Sequence, residues 1–262
     1  MSAQVIAISL QKGGVGKTTT AINLGAALAE LGFRTLIIDL DPQGNASSGL
    51  GVHPPEDGNT IAEVLLRVAG LDDAVEPTAE RNLFVCPAPP RQSLADVETK
   101  FASEMFWQPR LRDAVESVRS EWDYILIDCP PTLGRLTIMA FVAADTVLAP
   151  VQCQYFALEG LRDLSYVTEE VRSTGLNPNL EIGHYLLTMS EGSKKLSTEV
   201  EKELRDAYAR KVFKNVIPYN VKLAEAPSME RSVLKHASSS RGAQAYRAVA
   251  KELSSGRKPQ AG

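Results

Sequence analysis

Two lysines five residues apart, Lys12 and Lys17, lie in a run of glycines and threonines: Gln11-Lys12-Gly13-Gly14-Val15-Gly16-Lys17-Thr18-Thr19-Thr20. Glycine takes backbone angles closed to other residues, so the N–H groups of Gly13, Gly14 and Gly16, with Val15 between them, can converge on phosphate oxygens. Lys17 would reach the β- and γ-phosphates of a nucleotide, the Thr18 hydroxyl would ligate Mg2+, and Thr19 would continue the first helical turn beneath them. The spacing is that of the phosphate loop G-x-x-x-x-G-K-[ST], with Lys12 where the first glycine belongs. One lysine suffices to neutralise a bound phosphate, so Lys12 needs a separate explanation.

Two aspartates supply the rest of a phosphoryl-transfer site. Four apolar residues ending in Asp128 form a Walker-B pattern, Ile125-Leu126-Ile127 following Tyr124, and Asp128 would hold Mg2+ directly or through water. Asp41, in Ile38-Asp39-Leu40-Asp41-Pro42-Gln43-Gly44-Asn45, is a candidate to orient or activate the attacking water and to approach the metal. Asp39 is two residues away, so strand alternation would put it near the metal as well. The plainer alternative is that strand-end aspartates cap helices or form turns.

These residues need strand ends and a helix N-terminus to position them. The apolar run Val5 to Leu10 reads as a buried parallel strand, and Thr19 to Leu31 as the helix after the loop, stopped at Gly32. Further strands are expected at 34–40, 82–86, 124–128, 146–151 and 182–188, with a weaker one at 212–217. Helices are expected near 60–69, 104–120, 155–174, 194–210 and 241–253. This alternation predicts one α/β domain over residues 1–253, a mostly parallel twisted sheet with helices on both faces, in which ligands bind at the carboxyl ends of the strands. The polar tail 254–262 is expected to be disordered.

The chain has 262 residues, 44% hydrophobic, with a net charge of −4. No apolar run reaches membrane-spanning length, and the first apolar stretch is already committed to a strand, so neither a membrane helix nor a signal peptide is expected. Cys86, Cys129 and Cys153 are scattered in or beside strands, which fits reduced core thiols of a cytoplasmic protein. Up to residue 189 there are 13 Lys+Arg against 24 Asp+Glu, net −11; from 190 onward there are 15 against 8, net +7. Such asymmetry marks either a nucleic-acid face or an ordinary solvated helix and tail.

Lys12-Gly-Gly-Val-Gly-Lys-Thr-Thr19, Asp39-Leu-Asp-Pro-Gln-Gly-Asn-Ala46 and Leu126-Ile-Asp-Cys-Pro-Pro131 resemble the ParA/Soj partition ATPases, a family within the wider class of MinD and the nitrogenase iron protein. So do Pro150 to Gly160, Ile217 to Ser228 and Gly242 to Tyr246, in the family's order along nearly the whole chain. The resemblance implies an ATP- and Mg2+-dependent ATPase, slow alone and stimulated by a ParB-like or other partner. It also implies a homodimer with ATP sandwiched between subunits, in which Lys12 reaches the partner's phosphates as an arginine finger would. Pro218 and Asn220 resemble positions lining the adenine. Non-specific binding to double-stranded DNA is implied for the basic C-terminal part, with Lys194, Lys195, Lys214, Lys222, Arg231, Lys235 and Arg247 as candidates, and a nucleoid-associated location follows. The cargo would be a chromosome or plasmid, or alternatively a protein assembly positioned on the nucleoid. The chain departs from the family at Gln154, Tyr219, 190–197 and 230–233, all in the partner and DNA region. A membrane-surface switch like MinD would need an apolar face that the tail lacks, and an iron-protein reading would need cysteine contexts absent here.

Overall fold

The computed structural model describes residues 2–55, 58–89, 94–153, 157–192 and 195–260; the side chains of 95, 157–159, 195 and 196 lie outside it. In chain order the elements are β1 (Gln4–Ile8), α1 (Lys17–Glu30), β2 (Thr35–Asp39), α2 (Asn45–Gly49), α3 (Ile61–Leu65), β3 (Glu76–Pro77), β4 (Leu83–Cys86), α4 (Leu94–Phe101) and α5 (Arg110–Val118). They continue as β5 (Tyr124–Asp128), α6 (Arg135–Ala143), β6 (Thr146–Gln152), α7 (Ala157–Ser173), β7 (Ile182–Thr188), α8 (Lys195–Tyr208), α9 (Val221–Glu225), α10 (Val233–His236) and α11 (Arg241–Leu253).

The strands form one sheet in the order β3-β4-β2-β5-β1-β6-β7, parallel throughout except for the short β3 at its edge. Alternation along each strand divides the core in two. Val5, Ala7, Ile125 and Ile127 face α3 to α8, whereas Ile6, Ile8, Leu126 and Tyr124 face α1, α2 and α9 to α11. With both faces covered, the strands read as continuous apolar runs, which made them easy to recognise in the sequence. The sheet brings the ends of β2, β5 and β1 side by side: Asp39 pairs in register with Asp128, and Asp128 with Ile8.

Residues 212–217 are not a strand. Phe213 N–H and Ile217 N–H do bond the β7 carbonyls of Tyr185 and Leu187, at 3.0 and 2.8 Å. Between them the Glu252 carboxylate takes the N–H groups of Lys214 and Asn215 at 2.8 and 3.4 Å and the Asn215 side chain at 2.9 Å, which draws this stretch out of the ladder. The expected helix at 104–120 begins only at Arg110, after Pro109, and α4 and α6 were not anticipated. α6 is buried nearly all round, so it carries no amphipathic stripe to read.

The tail differs from expectation as well. Residues 254–260 fold back on the end of the sheet opposite the phosphate loop. The Arg257 guanidinium lies 5.1 Å over the Tyr124 ring and donates to the Ser2 carbonyl. Gln260 donates from its backbone to Asp123 at 3.1 Å and from its side chain to the Trp122 carbonyl at 2.8 Å. A polar segment is ordered here because it satisfies backbone and carboxylate groups left open before β5. A chain ending at Leu253 should lose about 1–2 kcal/mol, a fall in Tm of ~2–8 °C in differential scanning calorimetry; an unchanged Tm would mean the contacts contribute nothing.

Candidate nucleotide site

The phosphate loop joins β1 to α1. Gly14 and Gly16 have φ of 73° and 92°, left-handed values that disfavour any other residue, and Gly16 is the residue from which α1 starts. A Cβ placed on Gly13 or Gly14 would meet nothing within 4 Å, so the loop opens toward a ligand rather than packing on the body. One anchor holds it from below: the buried Thr188 hydroxyl, at the end of β7, donates to the Val15 carbonyl at 2.8 Å. Thr18 and Thr19 are half-buried on the first turn of α1.

Lys17 is 6% exposed, and its ammonium donates to the Lys12 carbonyl at 3.0 Å. Burial lowers its pKa, opposed by the charges of Asp128 and Asp41. The Lys12 ammonium makes no hydrogen bond or ion pair among the described residues, although its side chain is half-buried. The two lysines therefore have different surroundings in the loop.

Asp128 is fully buried, and among the described residues neither carboxylate oxygen has a hydrogen-bond partner of full geometry, the Thr18 hydroxyl being the near one. Burial pushes its pKa well up, and the neighbouring Asp39 charge adds to the shift, against the nearby Thr18 hydroxyl and Lys17. Two orphaned oxygens beside a threonine hydroxyl fit a hydrated Mg2+. No group of three His, Cys, Asp or Glu side chains converges among the described residues, so there is no all-protein cage. Mg2+ suits such a site, since it retains waters and is shared with substrate phosphates.

Asp39 lies beside Asp128, in register with it on the neighbouring strand, and one of its oxygens is also engaged by Ser47. Its Oδ2 accepts both the Ser47 N–H at 2.8 Å and the Ser47 hydroxyl at 2.6 Å, and Ser47 Oγ in turn accepts the Ala88 N–H at 3.1 Å. Burial raises its pKa to about 6, with the Ser47 bonds opposing. This side chain braces α2, and hence the loop carrying Asp41, against the end of β2. Asp41 itself is 7% exposed and accepts the Gln43 N–H at 3.0 Å, a turn that fixes its carboxylate beside Lys17.

Pro218 pairs with Ser190, two residues beyond Thr188, which sets it at the nucleotide end of the sheet. Asn220 caps α9 by accepting the Lys222 N–H at 2.9 Å, leaving its Nδ2 without a partner among the described residues. Thr188, Ser47 and Asn23, whose side chain accepts the Val233 N–H at 2.7 Å, are positioning residues that the sequence reading missed. A hydroxyl at a strand end was the one available signal, for Thr188.

The described basic candidates lie on α9 to α11 and the segments beside them, and two of them are already paired. Lys222 is paired with Glu225 at 2.6 Å on α9, and Arg247 is held by Glu30 at 3.0 Å and by Ser238. Lys214, Arg231 and Lys235 are exposed; Lys235 and Arg247 share a cleft at the far end of the sheet. Lys194, the Lys195 side chain and Gln154 lie outside the described residues.

A family model described as an AAA domain matches residues 3–182. The chain is 44% identical over 250 residues to the chromosome partitioning protein ParA of Myxococcus xanthus, covering 95% of this chain and 87% of that one. It is 47% identical over 248 residues to the chromosome-partitioning ATPase Soj of Thermus thermophilus, covering 95% and 94%. Among solved structures, cobyrinic acid a,c-diamide synthase from Mycobacterium smegmatis with bound ATP analogue and magnesium is 32% identical, with a TM-score of 0.82 over 99% of this chain and 100% of that one.

The raised pKa of Asp128 has a sign for stability. A carboxyl whose native pKa exceeds its unfolded value destabilises the fold as pH rises through that unfolded value, near 4. Without nucleotide, Asp128→Asn should therefore raise Tm by ~2–8 °C at pH 7 and by little at pH 3.5, while abolishing Mg2+-dependent ATP turnover. Thermal melts across pH, paired with phosphate release, check this; equal melting at pH 7 would show that Asp128 is relaxed by other groups. The loop, the strand-end carboxylates, the sheet order and the relatives agree: this chain belongs to the ParA/Soj family of partition ATPases and is a Mg2+-dependent ATPase.

Proposed function

We propose that the protein is an ATP-dependent dimerising switch that binds double-stranded DNA without sequence preference and hydrolyses ATP to segregate a chromosome or plasmid. The observation that carries the reading is Lys12. Its backbone carbonyl is taken by Lys17, yet its ammonium makes no hydrogen bond or ion pair among the described residues. A second lysine left without a partner in its own loop suits phosphate oxygens across a subunit interface. There the γ-phosphate supplies the charge that offsets lysine–lysine repulsion, so dimerisation follows nucleotide state. The names of the ParA and Soj relatives support the partition role.

Asp41 would orient the attacking water, with Lys17 and Thr18-bound Mg2+ neutralising the phosphates. Turnover would be slow alone and accelerated by a ParB-like or other partner, and the protein would work in the cytoplasm on the nucleoid. Positioning of a protein cargo is the second reading, favoured by the departure at Tyr219, whose ring is 64% exposed where the family carries arginine. A membrane-surface switch is opposed by the tail, whose described residues are polar and engaged with the body. No helix of the described residues is long and apolar enough to cross a membrane.

Lys12→Ala should bind ATP within about threefold of the parent yet remain monomeric, measured by light scattering after size exclusion with ATP and Mg2+; a dimer would refute the role in trans. Asp41→Ala should dimerise with ATP but hydrolyse it at least about a hundredfold more slowly, a single-turnover measurement. Normal hydrolysis would remove Asp41 from the reaction.

A further inference from the structure

A trans peptide points its carbonyl and the following N–H in opposite directions. In the Val15–Gly16 peptide the carbonyl is held by the Thr188 hydroxyl at 2.8 Å. The Gly16 N–H therefore points away from β7, and it has no acceptor among the described residues. It is a donor left open in a loop whose neighbouring glycines, Gly13 and Gly14, also face open space.

Nothing within the loop fixes that direction. Gly16 has φ of 92° and ψ of 29°, and a glycine accepts the large φ change of a peptide flip at little cost. A flipped peptide would turn the Val15 carbonyl outward and withdraw the N–H from a phosphate. The direction is set from β7. Thr188 is 2% exposed and lies at the end of that strand, on the sheet face it shares with Leu186 and that α1 covers. A β-branched side chain is stiff at χ1, so the strand position also fixes where the hydroxyl points. A Cβ built on Gly16 would lie 3.8 Å from the Thr188 methyl, so this side chain sits against the peptide it holds. Val15 is 1% exposed, and its carbonyl would be left buried and unsatisfied without the hydroxyl.

The same strand end holds the segment of Pro218 and Asn220. Ser190, two residues beyond Thr188, donates its N–H to the Ile217 carbonyl at 3.0 Å and accepts the Tyr219 N–H at 3.1 Å. One stretch of chain, 188–190, thus sets the phosphate loop through a side chain and the Pro218 segment through its backbone.

We propose that Thr188 is a positioning residue for the nucleotide, whose hydroxyl keeps the Gly16 N–H turned toward the phosphates. The assignment rests on the phosphate loop being the nucleotide site. It deepens that site by naming a residue that touches no ligand and that lies far from the loop in sequence.

The test is ADP binding to the full chain with Mg2+, by titration calorimetry and by NMR of the Gly16 amide in nitrogen-labelled protein. In the parent the Gly16 amide proton should move downfield as ADP binds. Thr188→Val keeps the shape of the side chain and removes the donor. It should bind ADP at least about tenfold more weakly, without the downfield movement. Thr188→Ser returns the hydroxyl, and should restore the movement and bring affinity to within about threefold of the parent. Should Thr188→Val fail to fold, Thr188→Cys supplies a weaker donor and should show a smaller loss of affinity with a smaller movement. A valine or cysteine variant that melts at lower temperature yet matches the parent in affinity and in Gly16 movement would make Thr188 a purely structural contact and overturn the proposal. A parent that binds no ADP would overturn the loop as the nucleotide site.

Discussion

An ammonium and two carboxylates, all withdrawn from water, crowd the ends of three neighbouring strands. Parallel pairing of β1, β5 and β2 leaves little choice: once Ile8, Asp128 and Asp39 are in register, Asp39 and Asp128 must face each other across a strand spacing. Isolated in a protein interior, such charges are costly, and their pKa shifts express that cost. Ser47 relieves Asp39 through two hydrogen bonds, while Asp128 keeps two oxygens open. The fold thus stores an unsatisfied acceptor that a hydrated divalent cation would satisfy, and the apolar sheet around it keeps the geometry fixed.

The parts of this arrangement that were legible in the sequence are those whose chemistry is local. Gly14 and Gly16 announce left-handed backbone, and four apolar residues before Asp128 announce a buried strand with a carboxylate at its end. The parts that were not legible depend on partners far along the chain. The Thr188 hydroxyl reaches Val15 across 173 residues, and Asn23 reaches Val233 across 210. Nothing in the residues near Asp39 marks its second role as a brace, because its partner Ser47 is one serine among several. The tail misled for a related reason. Its polarity argued against a packed core, and it makes none; it is held by hydrogen bonds and one cation–π contact to groups that only the folded sheet exposes.

Charge counting has the same limit. The C-terminal excess of Lys and Arg is genuine, yet Lys222 and Arg247 are engaged by Glu225 and Glu30. Exposed pairs of this kind contribute little to stability, but they lower the field available to a polyanion.

The 14-residue helix α1 spans about 21 Å, with Lys17 in its first turn and Glu30 at the rim of the far cleft. Apolar contact with the sheet is non-directional and by itself would tolerate small slips of that helix. The buried Thr20–Tyr246 hydroxyl pair at 3.1 Å and the Asn23–Val233 bond at 2.7 Å remove that freedom, since each would leave an unsatisfied buried group if the helix moved relative to α10 and α11. α1, α10 and α11 are therefore tied to one another by directional contacts as well as by apolar packing. Any slip of α1 would have to break one of these two buried bonds or carry α10 and α11 with it.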